Sequence, residues 1–380
     1  MDHRSKPMRV AAALTGALLA LTVGVAPGAE ARPGRVAGAP PPVVTTGYIY
    51  VPSEGGRAVV RWNGKAAGYT LAKARAILPG TFDGVGGGVF VYRAGSAPDG
   101  ILRIRRSGDD ITFSFRKESV NGHFEPITGD FDGNGITDIL WNEVAGPNSY
   151  LWLFRPDGSH SSRRFDTGFD GSVVRQADPA DVNLDGITDL VWQGQDEVWI
   201  MQPDASHVAR RIQMFATGYT GFVAGNVGPD DGVTRRRMVV VYEGGLERLI
   251  TFNGAGQSTM KQLRSRTGSC CTYQGAVGGH FRSGAARSLY FYSTNQPNTT
   301  DYLQDITAGG NNANRPVPQV NGSYRTTVGD FDGNGFDDIL FSNRTGATYL
   351  HSSDGNSFTT SNPSDIPPRS SVYAVTLSAP

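Results

Sequence analysis

Short apolar runs alternate with clusters of Gly, Asp, Asn and Pro from about residue 45 onward. Asp138-Ile-Leu-Trp141 is one such run, and Ser149-Tyr-Leu-Trp-Leu-Phe154 is the next, closed by Pro156-Asp157-Gly158. The same order returns in Val198-Trp-Ile-Met201 before Pro203-Asp204-Ala205, and in Ala347-Thr-Tyr-Leu350 before Ser353-Asp354-Gly355. Runs this short, rich in β-branched and aromatic residues and bounded by turn formers, predict strands joined by tight turns.

One phrase is written three times. It reads GDFDGNGITDILW from Gly129 to Trp141, ADVNLDGITDLVW from Ala180 to Trp192 and GDFDGNGFDDILF from Gly329 to Phe341. Weaker copies begin at Gly80, Gly225 and Gly279, so the starts are spaced by 49, 51, 45, 54 and 50 residues. A period near 50 marks one supersecondary unit repeated, too small to bury its own apolar face. Each unit accommodates four antiparallel strands, with Trp141 and Trp192 expected to end the innermost one. That is the pattern of a β-propeller blade.

The ends of the chain set the expected blade count. Tyr48–Val51 and Ala58–Trp62 look like two strands of a unit that lacks the strand before them, and Ser371–Leu377 looks like that strand. The expectation is an all-β, seven-bladed propeller over residues 45–380, closed by pairing the C-terminal segment with Tyr48–Val51. Such closure removes the open sheet edge. Stacked β-sandwiches are the alternative, but they would not repeat one loop at one phase.

The strong copies carry chemistry. As oxygen donors they read Asp130, Asp132, Asn134, the carbonyl of Ile136 and Asp138; then Asp181, Asn183, Asp185, the carbonyl of Ile187 and Asp189; then Asp330, Asp332, Asn334, the carbonyl of Phe336 and Asp338. Oxygen-only donors at alternating positions suit a hard cation with six or seven ligands, hence Ca²⁺, about three ions in all. Gly135, Gly186 and Gly335 stand where the loop must turn sharply. Without a cation, three carboxylates a few Å apart repel by about 1 kcal/mol per pair in water. An EF-hand would need Glu at the twelfth position, where this chain has Trp141, Trp192 and Phe341. Asx turns without an ion are the plainer alternative. The copies at 80, 225 and 279 lack the acidic set, so no metal is assigned to them.

These loops resemble the FG-GAP/VCBS repeats of integrin α-subunit propellers and of many secreted bacterial proteins. The resemblance spans Tyr48 to the C-terminus as architecture, and three units carry the full motif. It implies a seven-bladed propeller with Ca²⁺ in hairpin loops on one face, built for extracellular binding or adhesion; some relatives are sugar binders.

The N-terminus reads as an address. Arg4, Lys6 and Arg9 precede the uncharged run Val10–Val25, and Ala29-Glu30-Ala31 is a small-x-small cleavage site. Residues 1–31 are expected to be a cleaved secretory signal rather than a retained anchor, and 32–44 a disordered linker. No later run is long enough to span a membrane. Lys+Arg and Asp+Glu are each 35, and this balance argues against a general nucleic-acid binder.

No Gly-x-Ser-x-Gly elbow, His-Glu-x-x-His or phosphate-binding loop is present. Trp152 and Trp199 occupy matching sites and would stack on sugar rings if they face a groove, or pack between blades if they do not. His160, His207 and His351 are expected to be solvated at hairpins or strand ends, and His123 and His280 are weaker candidates for a pocket. Cys270 and Cys271 are adjacent. Cα atoms about 3.8 Å apart would strain a vicinal disulfide, so a bridge, free thiols or an intermolecular bond all stay open. The expected function is a secreted, monomeric, Ca²⁺-stabilised binding or adhesion module for an extracellular glycan or surface protein. The alternative is a polysaccharide-degrading lyase or hydrolase on a propeller, and the third possibility is a scaffold with no small ligand.

Overall fold

The computed structural model describes residues 45–93, 98–143, 148–166, 177–183, 185–192, 197–211, 221–225, 228–229, 238–243, 246–253, 257–262, 273–283, 286–293, 301–306, 312–343, 345–346, 348–364 and 366–377. Among them every regular element is a β-strand, and no helix is long and apolar enough to cross a membrane. The signal and linker expected over 1–44 lie outside the described residues.

Six sheets are four-stranded antiparallel blades. The 76–118 blade runs Ala76–Gly80, Gly88–Tyr92, Asp99–Ser107 and Asp110–Glu118. The 124–165 blade runs Phe124–Gly129, Asp138–Glu143, Ser149–Phe154 and His160–Phe165. The 177–211 blade runs Ala177–Ala180, Asp189–Trp192, Glu197–Met201 and His207–Arg211. Gly221–Gly225, Met238–Glu243, Leu246–Phe252 and Ser258–Gln262 form the next. Arg325–Gly329, Asp338–Ser342, Thr348–Ser353 and Phe358–Ser361 form another. A further sheet has five strands: Tyr273–Gly279, Ala286–Ser293, Tyr302–Ile306, Asn312–Pro316 and the short Gly228–Pro229, which pairs with Ala286 and Arg287.

The sixth blade is assembled from both ends of the described chain. Ser370–Leu377 pairs antiparallel with Thr45–Pro52 over eight rungs, Tyr48 opposite Ala374, and Gly55–Trp62 and Lys65–Ala72 complete it. The inner strands then touch in succession: Ala76–Gly80, Phe124–Gly129, Ala177–Ala180, Gly221–Gly225, Tyr273–Gly279, Arg325–Gly329, Ser370–Leu377 and back to Ala76–Gly80. Because the strand before each acidic loop is the inner one, Trp141 and Trp192 lie on the second strand of their blades, not on the innermost as the sequence suggested.

The core lies between blades. Ile139 and Trp141 pack with Phe90, Tyr92 and Ile101 of the preceding blade, whereas Leu140 packs with Leu190 and Trp192 of the following one. In the next blade Leu190 and Trp192 face back, and Val191 faces forward to Ile250 and Phe252. Successive side chains point to opposite faces of a sheet. A stretch covered on both faces must therefore be apolar, which is why Ile139–Trp141 and Leu190–Trp192 read as unbroken runs.

Candidate metal centre

Each strong loop connects an inner strand to the second strand of its blade. Its polar side chains fold back on its own backbone. The first aspartate accepts from the sixth-position glycine: Gly135 N–H to Asp130 Oδ2 (2.6 Å), Gly186 to Asp181 (3.1 Å) and Gly335 to Asp330 (3.0 Å). Those glycines have φ of 84°, 88° and 90°, the left-handed region that a Cβ disfavours. Asx turns follow at the third and fifth positions, with Asn134 Oδ1, Asp185 Oδ1 and Asn334 Oδ1 accepting from Ile136, Ile187 and Phe336 N–H at 2.7–2.9 Å.

The ninth position anchors the loop. Asp138 Oδ2 accepts from Phe131 N–H (2.9 Å) and Oδ1 from Phe154 N–H (2.8 Å). Asp189 does the same with Val182 and Met201, and Asp338 with Phe331 and Ser353. All three carboxyls are fully buried. Burial, helped by nearby loop carboxylates and opposed by the backbone donors, raises Asp138 and Asp189 to about 8 and Asp338 to about 7. Asp130 is pushed up to about 6, again mainly by burial. Among the described residues no Lys or Arg pairs with any of the three ninth-position groups.

In two loops the carboxylates converge. One oxygen each of Asp130, Asp132 and Asp138 lies within 4.8 Å of the others, and so does one each of Asp330, Asp332 and Asp338. That span suits oxygens sharing a cation at the 2.3–2.6 Å typical of Ca²⁺. Both triads could hold a metal ion. The 181–189 loop is not among the converging sets, and its chemistry differs: Asn stands at the third position and Asp at the fifth. In the first and third loops the fifth-position amide donates to a carbonyl of the third strand, Asn134 Nδ2 to Phe154 O (2.9 Å) and Asn334 Nδ2 to Ser353 O (2.7 Å). Asp185 has no such donor, and the equivalent Met201 carbonyl accepts from Gln202 Nε2 instead (3.0 Å).

Neighbouring loops are clasped by the eighth position. Thr188 N–H donates to Asp130 O (2.7 Å), and Asp130 N–H donates to Thr188 Oγ1 (3.0 Å). Thr137 holds Thr81 of the preceding blade in the same two bonds. Asp337 holds His280, with Oδ2 accepting from its N–H (2.7 Å). Gly80 and Gly129, before the residues held by the two threonines, leave room for the clasp, since a Cβ there would stand 2.7 Å from Thr137 Cγ2 and 2.6 Å from Thr188 Cγ2. The recurrence of Thr137, Thr188 and Asp337 just before the last aspartate was the available sequence signal for this contact.

In the copies at 80 and 279, where the acidic set is missing, guanidinium groups neutralise the carboxylates. Asp83 pairs with Arg103 (2.9 Å) and with Arg105. In the five-stranded sheet Arg282 stands where the strong loops have their third-position residue. It donates to Asp305 (3.2 Å), which also accepts from Arg315 (2.9 Å) and Ser288.

The remaining candidates are placed differently from a shared pocket. Trp152 and Trp199 are 8% and 4% exposed, each with one face covered by an imidazole, His160 or His207, at 4.0 Å between centroids. They pack in the core, and neither offers a face to a sugar. His351 is buried rather than solvated as expected. It sits on Thr348–Ser353 among Phe341, Phe358 and Tyr290, with Nδ1 3.1 Å from the Tyr290 hydroxyl. His123 lies on the surface 3.3 Å from Arg75. Cys270 and Cys271 lie outside the described residues.

Comparison with known proteins gives the fold. No family model matches the chain, and no curated protein matches it. Among solved structures, a protein from Lactobacillus plantarum is similar at 12% identity and a TM-score of 0.54, covering 88% of this chain and 100% of its own. A putative 6-phosphogluconolactonase from Bacteroides fragilis is similar at 12% identity and a TM-score of 0.54, covering 88% of this chain and 98% of its own. At such identity the likeness speaks for architecture and not for activity: the chain is an all-β propeller of four-stranded antiparallel blades.

Proposed function

We propose that the chain is a secreted, calcium-stabilised propeller of seven blades, of the FG-GAP/VCBS type, acting as an extracellular binding or adhesion module for a glycan or a surface protein. The unbroken succession of seven touching inner strands supports the blade count, with the five-stranded sheet as one blade. Three loops would hold one Ca²⁺ each: Asp130, Asp132, Asn134, the carbonyl of Ile136 and Asp138; Asp181, Asn183, Asp185, the carbonyl of Ile187 and Asp189; Asp330, Asp332, Asn334, the carbonyl of Phe336 and Asp338. The donors are all oxygens, as a hard cation requires.

One observation carries this reading. The two converging triads are built around buried carboxyls whose hydrogen-bond donors are backbone N–H groups, whereas the copies at 80 and 279, without the acidic set, supply arginines. The cation's work would be to hold the loop face rigid for recognition. The test has two arms: calorimetric titration of chelated protein with Ca²⁺, and a glycan array with Ca²⁺ or EDTA. Uptake of about three ions and array binding that EDTA abolishes are expected. No heat of uptake would refute the metal assignment, and cleavage of array glycans would favour the enzymatic alternative.

A further inference from the structure

We propose that Thr188 couples two cation sites, acting as a positioning residue for the 130–138 loop although it belongs to the 181–189 loop. The inference rests on the calcium reading above and adds which sites communicate. Thr188 stands between two donors of its own loop, the Ile187 carbonyl and Asp189. Its N–H and hydroxyl grip both sides of the Asp130 peptide, at 2.7 and 3.0 Å. Its Cγ2 also closes over Gly129, where a Cβ would meet it at 2.6 Å. A cation that fixes the 181–189 loop therefore fixes the backbone carrying the first ligand of the neighbouring loop. Ordering that Asp130 would otherwise have to undergo on its own is already done, so the second ion binds more tightly. Thermodynamic linkage makes the effect mutual.

The other clasps make this pair distinctive. Thr137 makes the same two bonds, but to Thr81, in a loop whose aspartate is already held by Arg103 and Arg105. Asp337 grips His280, whose loop has Arg282 at the third position. The 330–338 loop should therefore fill independently, and the 130–138 and 181–189 loops should fill as a pair.

Site-resolved calcium titration of the full chain by amide NMR tests this, following Gly135 and Gly186, whose N–H groups bond the first aspartates. Asp185→Asn weakens the 181–189 site at an exposed position. It should raise the Ca²⁺ midpoint at Gly135 by about 5-fold or more, within the usual span of intersite coupling. In a Thr188→Val background, which deletes the hydroxyl bond but keeps the backbone N–H bond to Asp130 O, the same substitution should raise the Gly135 midpoint by less than half that factor. Thr137→Val deletes an equivalent hydroxyl hydrogen bond, so it controls for structural loss and should preserve the coupling. Asp185→Asn without effect at Gly135 overturns the proposal, as does an effect of undiminished size in the Thr188→Val background. If neither glycine responds to Ca²⁺, the calcium reading itself fails.

Discussion

Removing calcium should reveal a pH dependence that the ion normally hides. The perturbation is chelation, and the groups are the buried carboxyls at the ninth loop position. Asp138 goes from an ordinary 3.8 to about 8, chiefly because burial disfavours its charge. At about 1.4 kcal/mol per pH unit, keeping it ionised in the chelated fold costs on the order of 5 kcal/mol. The sign follows from proton counting. Between the unfolded and folded pKa the native state binds the extra proton, so stability falls as pH rises and levels off above about 8. Buried His351 works in the opposite sense. Burial lowers its pKa from 6.5 to about 4, so its contribution is lost as pH falls through that range. The window from about pH 6.5 to 8 therefore isolates the aspartates. Across it Asp138 and Asp189 should each cost the chelated protein roughly 2 kcal/mol, and Asp338, at about 7, roughly 1 kcal/mol. Urea unfolding followed by tryptophan fluorescence reads this directly, because Trp141 and Trp192 are buried beside the loops. With saturating Ca²⁺ the slope should vanish, and Asp138→Asn in EDTA should remove about two-fifths of it, because Asp189 and Asp338 titrate in the same window. Equal stability at pH 6.5 and pH 8 in EDTA would refute the reasoning.

Four further outcomes are expected. Gly129→Ala should cost about 1–3 kcal/mol of stability, read as a lower melting temperature, through collision with Thr188 Cγ2, and Thr188→Ser, which lacks that methyl, should restore part of it. Asp83→Asn should cost about 2 kcal/mol by leaving Arg103 and Arg105 short of a partner, equally with and without Ca²⁺ in parallel melts. Trp199→Ala should cost about 3–5 kcal/mol as a core truncation; loss of ligand binding at unchanged stability would instead make the indole a contact residue. His351→Gln should flatten the fall in stability between about pH 6.5 and 4 that protonation of the buried imidazole otherwise causes, measured by urea titration across that range.

The architecture was legible because the hydrophobic pattern and the loop phase are both local. The repeat announced itself, and Ser371–Leu377 could be recognised as the strand missing before Tyr48–Val51. The radial order was misread for Trp141. An unbroken apolar run says that both faces are covered, but any middle strand of a blade satisfies that condition. The acidic positions of the loops were visible as an alternating series. Their convergence in two loops and not in the third depends on whether Asp stands at the third or the fifth position, which acts through geometry. The arginine partners of Asp83 were invisible because Arg103 and Arg105 lie on a different strand. His351 was misplaced because a lone imidazole in a strand with polar neighbours gives no sign of which face it occupies.

The blade built from Thr45–Pro52 and Ser370–Leu377 has a consequence for how the molecule is made. Its two innermost strands are separated by nearly the whole described chain, so their encounter is the most non-local step of folding and should be among the slowest. Until it happens, Thr45–Pro52 offers an unsatisfied row of backbone donors and acceptors to any passing strand. Nascent or truncated chains lacking the final strand should therefore be sticky, and the completed ring should be long-lived once shut.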